Sequence, residues 1–308
     1  MKLRYLCMLL AVTVVWGLDP LINRYLYKYY SAAVLCTLAT LASALVFLFL
    51  ERKRLKKPDR RYFTVALPIS LINSLACVLQ RIGLQYTSPA RYAFLEHLSI
   101  VSVPIVLFAV CKKRPRVPQL LCALLCLGGC LLLAGEGVLE GEVGVGDVLC
   151  ALAGLMLGAA IVFTSEYTEG LDIRLFMTVH MCTYFLTSLA LTLGLHLIPV
   201  GGAPIERIVF TLSPLPLLGA LLFGLLTVGL CWLMRNEATR HLPPALVSVI
   251  APFAAPITAV ISVLTGQESL TPSLILASLL ILAAAILSGL SERPKEKPLV
   301  PQAPRSLS

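Results

Sequence analysis

The sequence predicts an all-α integral membrane protein. Ten transmembrane helices form two inverted five-helix repeats, with both termini in the cytoplasm. Three observations carry this reading. Apolar residues make up 58% of the 308-residue chain and charged residues only 13%, about half the charge of an average soluble domain. Apolar runs separate the charges, and each is close to the ~20 residues a helix needs to cross hydrocarbon. With an even number of runs both termini share a side, and placing them inside puts twenty of the twenty-five Lys and Arg there, as the positive-inside rule requires. Net charge is +9; lying in loops between spans, it points to membrane topology rather than to nucleic acid.

The runs fall at residues 5–26, 31–50, 62–83, 88–110, 118–135, 146–165, 174–195, 213–235, 243–265 and 272–290. The first follows Lys2 and Arg4 as a signal peptide would, but no small-x-small cleavage site comes after it, so it is kept as a span. The second leads into loop 51–61, which holds seven Lys and Arg. The third carries Asn73, Cys77, Gln80 and Arg81 at helical spacing, and the fourth carries Glu96 and His97. Lys112, Lys113, Arg114 and Arg116 mark the next inner loop. An acidic, glycine-rich outer linker over 136–145 then divides a first repeat, 1–135, from a second, 146–290. From Ser291 a basic, proline-rich tail reads as a disordered cytoplasmic extension.

The two halves are comparable. Ala93 and Pro104 in the fourth run fall on Ala245 and Pro256 in the ninth at one offset. Five spans per half turn the second half upside down, a design in which a binding site lies near the midplane between repeats. Pro104, Pro252 and Pro256 are the candidate helix breaks, since interruptions at corresponding places mark such sites.

Several short motifs resemble the EamA-type branch of the drug/metabolite transporter superfamily. They are Val15-Trp16-Gly17, Tyr86-Thr87-Ser88-Pro89-Ala90-Arg91-Tyr92-Ala93-Phe94 leading to Val103-Pro104, Gly146-Asp147-Val148-Leu149, and Gly266-Gln267-Glu268-Ser269-Leu270-Thr271-Pro272. Their order and spacing over residues 5–290 carry the resemblance. It implies transport of a small metabolite, an amino acid or related compound, commonly as efflux from the cell across the inner membrane. One departure is plain. Where the first-repeat hairpin of the family carries an acid, this chain reads Cys111-Lys112-Lys113-Arg114-Pro115, so no paired role passes to Glu268.

Ionisable groups inside a span are the best pointers to a site, because a lone charge there costs at least ~2.5–3.5 kcal/mol. Glu96 and His97 lead, with Arg81 and Arg91 as the nearest partners. A structural ion pair and a protonatable gate are both open readings; a carboxyl that trades its proton for a substrate would couple transport to protons. Asp19 stands beside Pro20, where a broken ladder leaves a carbonyl for a ligand. Asn73, Gln80 and Arg81 suit either a cavity wall or interhelical hydrogen bonds. Tyr92 belongs to the same candidate set. His180 reads first as a packing residue. Trp16 and Trp232 suit stacking on a ligand or anchoring at the interface. Gly154-Leu155-Met156-Leu157-Gly158 has close-packing spacing, for use within the chain or in a homodimer.

Other chemistries find little support. Cys122, Cys126 and Cys130 share one face, but no His or carboxylate joins them, so no metal site is expected. Gly144-Val145-Gly146-Asp147 and Pro244-Ala245-Leu246 resemble marks of intramembrane aspartyl proteases, the membrane-enzyme alternative. That chemistry needs two carboxyls sharing a proton, and Asp19 is the other membrane Asp. The histidines form no His-Glu-x-x-His site, and no phosphate loop is present. The expectation is a carrier without cofactor, taking a small molecule and exchanging protons, with passive facilitation as a further alternative.

Overall fold

The computed structural model describes residues 2–54, 59–87, 89–134, 143–197, 199–200, 203–204, 207–264 and 271–291. Most of the acidic linker, Glu268 with its motif and the tail beyond Ser291 lie outside the described residues, as do the side chains of Pro20 and Arg91.

Each apolar run read from the sequence is helical. The elements are α1 (Lys2–Leu26), α2 (Ala32–Glu51), α3 (Leu67–Gln85, entered by a π-helical turn at Tyr62–Ala66), α4 (Pro89–Glu96) and α5 (Ser99–Ala109). They continue with α6 (Val117–Ala134), α7 (Val145–Tyr167), α8 (Ile173–Leu197) and a two-residue antiparallel ladder of β1 (Pro199–Val200) on β2 (Ala203–Pro204). Then come α9 (Pro214–Gly224), a π-helical stretch at Leu225–Leu230, α10 (Cys231–His241), α11 (Pro244–Ile250), α12 (Ala254–Leu264) and α13 (Pro272–Ser291). Among the described residues, Ala32–Glu51, Tyr62–Gly83, Val145–Tyr167, Ile173–Leu197 and Pro214–His241 are long and apolar enough to cross a membrane. Phe94–Ala109, Val117–Leu132, Pro244–Thr258 and Pro272–Ser288 are apolar and shorter. The bundle is built inside out relative to a soluble protein. Asn73, Gln80, Thr192, Arg235 and Asn236 are buried, while Leu45, Leu124, Leu186 and Leu218 are more than half exposed. Lipid in place of water explains that inversion.

The helix pairings repeat when the halves are exchanged. α7 packs on α3 and on α4–α5; its counterpart α1 packs on α10 with the π stretch before it, and on α11–α12. α8 packs on α3, and its counterpart α2 packs on α9 and the π stretch. α2 with α8, and α6 with α13, pair with their own equivalents and so flank the pseudo-twofold axis. Small residues seat these contacts. A Cβ on Gly154 would lie 2.4 Å from Leu95 O, and one on Gly17 would lie 2.7 Å from Ile257 Cγ2. Ser102 donates to Leu155 O at 2.7 Å, and in the other half Thr258 donates to Gly17 O at 2.7 Å. The Gly154–Gly158 face is thus occupied within the chain, by α4 and α5.

Both stretches expected to break are interrupted ahead of Pro104 and Pro256, by nearly two turns in the first and about one turn in the second. Pro104 lies inside α5 and Pro256 inside α12, whereas Pro252 sits in a 3₁₀ turn over Ala251–Phe253. The first break is at His97–Leu98, where Ile100 N bonds to His97 O and Val101 N to Leu98 O, each three residues back. In the second, the ring of Pro256 clashes with the carbonyl four residues before it, that of Pro252 in the 3₁₀ turn. The break at His97–Leu98 lies too far from Pro104 for that clash to explain it.

One end of the bundle is tied shut. At the end holding Glu51, Tyr62, Tyr167 and His241, Arg54 pairs with Asp172 at 2.8 Å, and Arg240 donates to Leu171 O at 2.7 Å. Lys113 pairs with the buried Glu166 at 2.8 Å. This last pair gives a use to the basic hairpin that departs from the family pattern. α5 closes through Lys112 in the left-handed region (φ 55°), with Lys113 N reaching back to Leu107 O at 3.1 Å. A left-handed residue just past the helix closes it, and this leaves Lys113 positioned against α7. At this end α10 and α11 also reach α7, and α10 reaches α8. At the opposite end the equivalent approaches of α3 and α4–α5 to α1, and of α3 to α2, are slight or absent among the described residues. The exact exchange of halves therefore fails in one respect: among the described residues, one end is tied closed and the other is not.

Candidate functional site

Two polar layers occupy the interface between the halves. The layer nearer the open end comes from α1, α3 and α4. Asp19 accepts a hydrogen bond from Asn23 one turn on. Arg81 and Glu96 both lie within electrostatic reach of Asp19, and Tyr92 lies within reach of Glu96, Arg81 and Asp19. Gln80 faces Glu96, but its Nε2 closes no full hydrogen bond. Asp19, Asn23, Arg81, Thr227 and Val228 line a small cavity, with space for about one water, and Arg81 and Cys36 also border a second of the same size toward Ser188 and Leu195. Arg81 thus stands between two spaces. Of the adjacent pair, Glu96 at the end of α4 joins this layer, and His97 falls at the break that follows.

The second layer lies deeper, toward the closed end. Trp16 of α1 and Trp232 of α10 pack with ring centroids 5.6 Å apart, and Trp232 lies 5.3 Å from His180 of α8. The tryptophans therefore stand inside the bundle, not at its surface as anchors. Trp16 Nε1 donates to Thr227 O at 3.1 Å, which ties this layer to the cavity above it. His180 Nε2 meets Asn73 Nδ2 at 3.1 Å, leaving His180 Nδ1 and Asn73 Oδ1 buried without partners. A single flip of that amide would change which Asn73 atom is left over but not the count. Arg235, one turn after Trp232, lies over the Trp232 ring at 4.7 Å and 6.0 Å from that of Trp16.

The structure brings Asp19, Gln80, Arg81, Tyr92 and Glu96 together, and separately Trp16, Asn73, His180 and Trp232. Arg235 was missed by the sequence reading because the eighth run was ended there and its charge assigned to the inner loop. The helix in fact runs on to His241. The signal available was Trp232-x-x-Arg235, a spacing that stacks a cation on an indole.

Asp147 has a structural role here. It caps α7, accepting from Gly144 N at 2.9 Å and from the Thr87 hydroxyl. Cys122, Cys126 and Cys130 pack with Ile281 and Ala284 of α13, and no group of metal-ligating side chains forms among the described residues.

A family model described as the EamA-like transporter family matches residues 3–135 and again residues 144–290. No curated protein matches the sequence. Among solved structures, one crystal structure with no stated function shares the fold with a TM-score of 0.72, at 16% sequence identity over 93% of this chain and 98% of that one.

Proposed function

This chain belongs to the EamA-like transporter family, and from that premise we propose that it is a secondary transporter moving a small metabolite, an amino acid or related compound, across the cell's inner membrane. The ten helical stretches are its spans, in two inverted repeats over 1–135 and 146–290, with both termini cytoplasmic. Transport is by alternating access, in the direction of efflux, and Glu96 exchanges protons with the substrate.

The observation that carries this reading is the broken symmetry. Two halves with matching helix pairings enclose charged and aromatic side chains, and among the described residues the ion pairs that join the halves stand at one end. In an inverted repeat, exchanging the conformations of the halves opens the closed end and closes the open one. The layer of Asp19, Arg81 and Glu96 lies on the open side, where a proton arriving from outside would meet it.

Liposomes holding the purified protein and a trapped pH-sensitive dye test the activity. Amino acids and related metabolites are added one at a time. The expected result is a dye response to a subset of them, lost in Glu96→Gln while the variant still inserts and folds. Flux of labelled substrate without proton movement, equal in wild type and variant, would instead identify a passive facilitator. Covalent alteration of an added lipid or peptide would favour the membrane-enzyme alternative.

Orientation has its own test. In a Cys7→Ser background, which removes the one exposed thiol among the described residues, Arg207→Cys is expected to react with an impermeant maleimide in whole cells. Arg114→Cys is expected to react only after lysis. The reverse pattern would invert the topology.

A further inference from the structure

We infer that Arg235 is the anion anchor of this transporter and that its substrates carry a carboxylate. This rests on the transport reading above and names the class of compound that the site takes. The observation is a cation inside the bundle with nothing negative to balance it. Arg235 is 6% exposed. Among the described residues its guanidinium has neither an ion pair nor a hydrogen bond, while the other pairs stand elsewhere, on Arg54, Lys113 and Arg240. Two indole faces hold it instead.

A guanidinium keeps its charge at any working pH, so neutralisation by losing a proton is closed to it. Snorkelling to water is the bland alternative for an arginine six residues from the end of its helix. Its burial argues against that, since a snorkelled head group would be wet. Cation–π contact stabilises a buried arginine but uses the flat face of the fork and leaves its edge N–H groups free. Those groups are the geometry that takes a carboxylate in two parallel hydrogen bonds.

The surroundings add to the case. Asn73 Oδ1 and His180 Nδ1 are buried and unpartnered, which suits a ligand that also brings a polar group besides its carboxylate. Trp16 and Trp232 give walls for an apolar body. Trp16 reaches Thr227 at the cavity edge, so the anchor lies just beyond the space on the open side, toward the end that must open next. A carboxylate that enters when the closed end opens replaces the missing counter-charge, and it leaves through the open side.

The sequence supplies the assay. The chain has two tryptophans, Trp16 and Trp232, and both touch Arg235, so tryptophan fluorescence of the full-length protein in nanodiscs reports from this place. A panel of aliphatic carboxylates, including amino acids and their N-acetyl derivatives, is titrated beside the matching uncharged amides. Saturable changes are expected with a subset of the carboxylates and not with their amides. Binding should weaken at least about tenfold in Arg235→Gln, the loss of one charge-assisted pair, and be partly kept in Arg235→Lys. Arg235→Gln removes an unbalanced buried charge, so its unfolding temperature should not fall; a fall would show that the cation is structural and would overturn the assignment. Responses equal for acid and amide, undiminished in Arg235→Gln, or absent with every carboxylate, would overturn it as well. Binding without flux in liposomes would leave the anchor standing and refute transport. Flux of uncharged compounds alone would do the opposite.

Discussion

Gly154→Val is expected to remove nearly all correctly folded protein from the membrane. At Gly154, α7 crosses the break between α4 and α5, and a Cβ there would meet Leu95 O at 2.4 Å, Glu96 O at 3.1 Å and Leu98 Cβ at 3.3 Å. The first two are backbone carbonyls, which cannot rotate away as a side chain would. Relief requires α4 to separate from α7, and Glu96 would move with it. Overpacking usually costs about 1–3 kcal/mol, occasionally more; a backbone clash on this scale belongs at or above the top of that range. Gly128→Val is the matched control, since nothing lies within 4 Å of its Cβ position. Size-exclusion profiles of the two variants fused to a fluorescent reporter decide the matter. A monodisperse Gly154→Val peak of wild-type height would mean that the close approach of α4 to α7 is wrong.

Lys113→Ala should be the most damaging change at the closed end. It leaves the Glu166 carboxylate, whose side chain is 2% exposed, without the cation 2.8 Å away. Breaking a buried pair by removing one partner costs about 3–5 kcal/mol; with the Lys113 side chain 24% exposed, the lower end of that range applies. The double variant Lys113→Met with Glu166→Leu should recover most of the loss, because the penalty belongs to the stranded charge rather than to the missing attraction. Unfolding of the three proteins in detergent measures both numbers. A double variant no more stable than Lys113→Ala would show that the pair itself, not the stranded charge, holds this end. If the pair is a latch, cysteines introduced near Tyr167 should also become more reactive in Lys113→Ala.

Much of this architecture is written in run length and spacing. Lipid forces each crossing segment to satisfy its own backbone, so an apolar run of sufficient length has few options besides helix. Pro256 stands four residues after Pro252 in its 3₁₀ turn, a local effect of the Pro256 ring, whereas Pro104 lies within α5, well past the break before it. Contacts between distant segments were not legible. Nothing near Trp16 in the chain announces that it meets Trp232, or that the basic hairpin at Lys113 answers Glu166. Arg235 shows the limit clearly. A positive residue closing an apolar run is the usual mark of the membrane's edge, and one further turn and a half of helix turns that mark into a buried charge.

The self-pairing of α2 with α8 and of α6 with α13 has a consequence for the halves as separate molecules. Contacts of a helix with its own equivalent are isologous, the kind that join two identical subunits in a closed dimer. Each half alone therefore ends in two uncovered faces that fit a second copy of much the same shape, inverted. Residues 1–135 and 146–290 produced as separate polypeptides in one cell should find each other through those faces and assemble into the whole, with the linker serving to fix their ratio rather than their geometry.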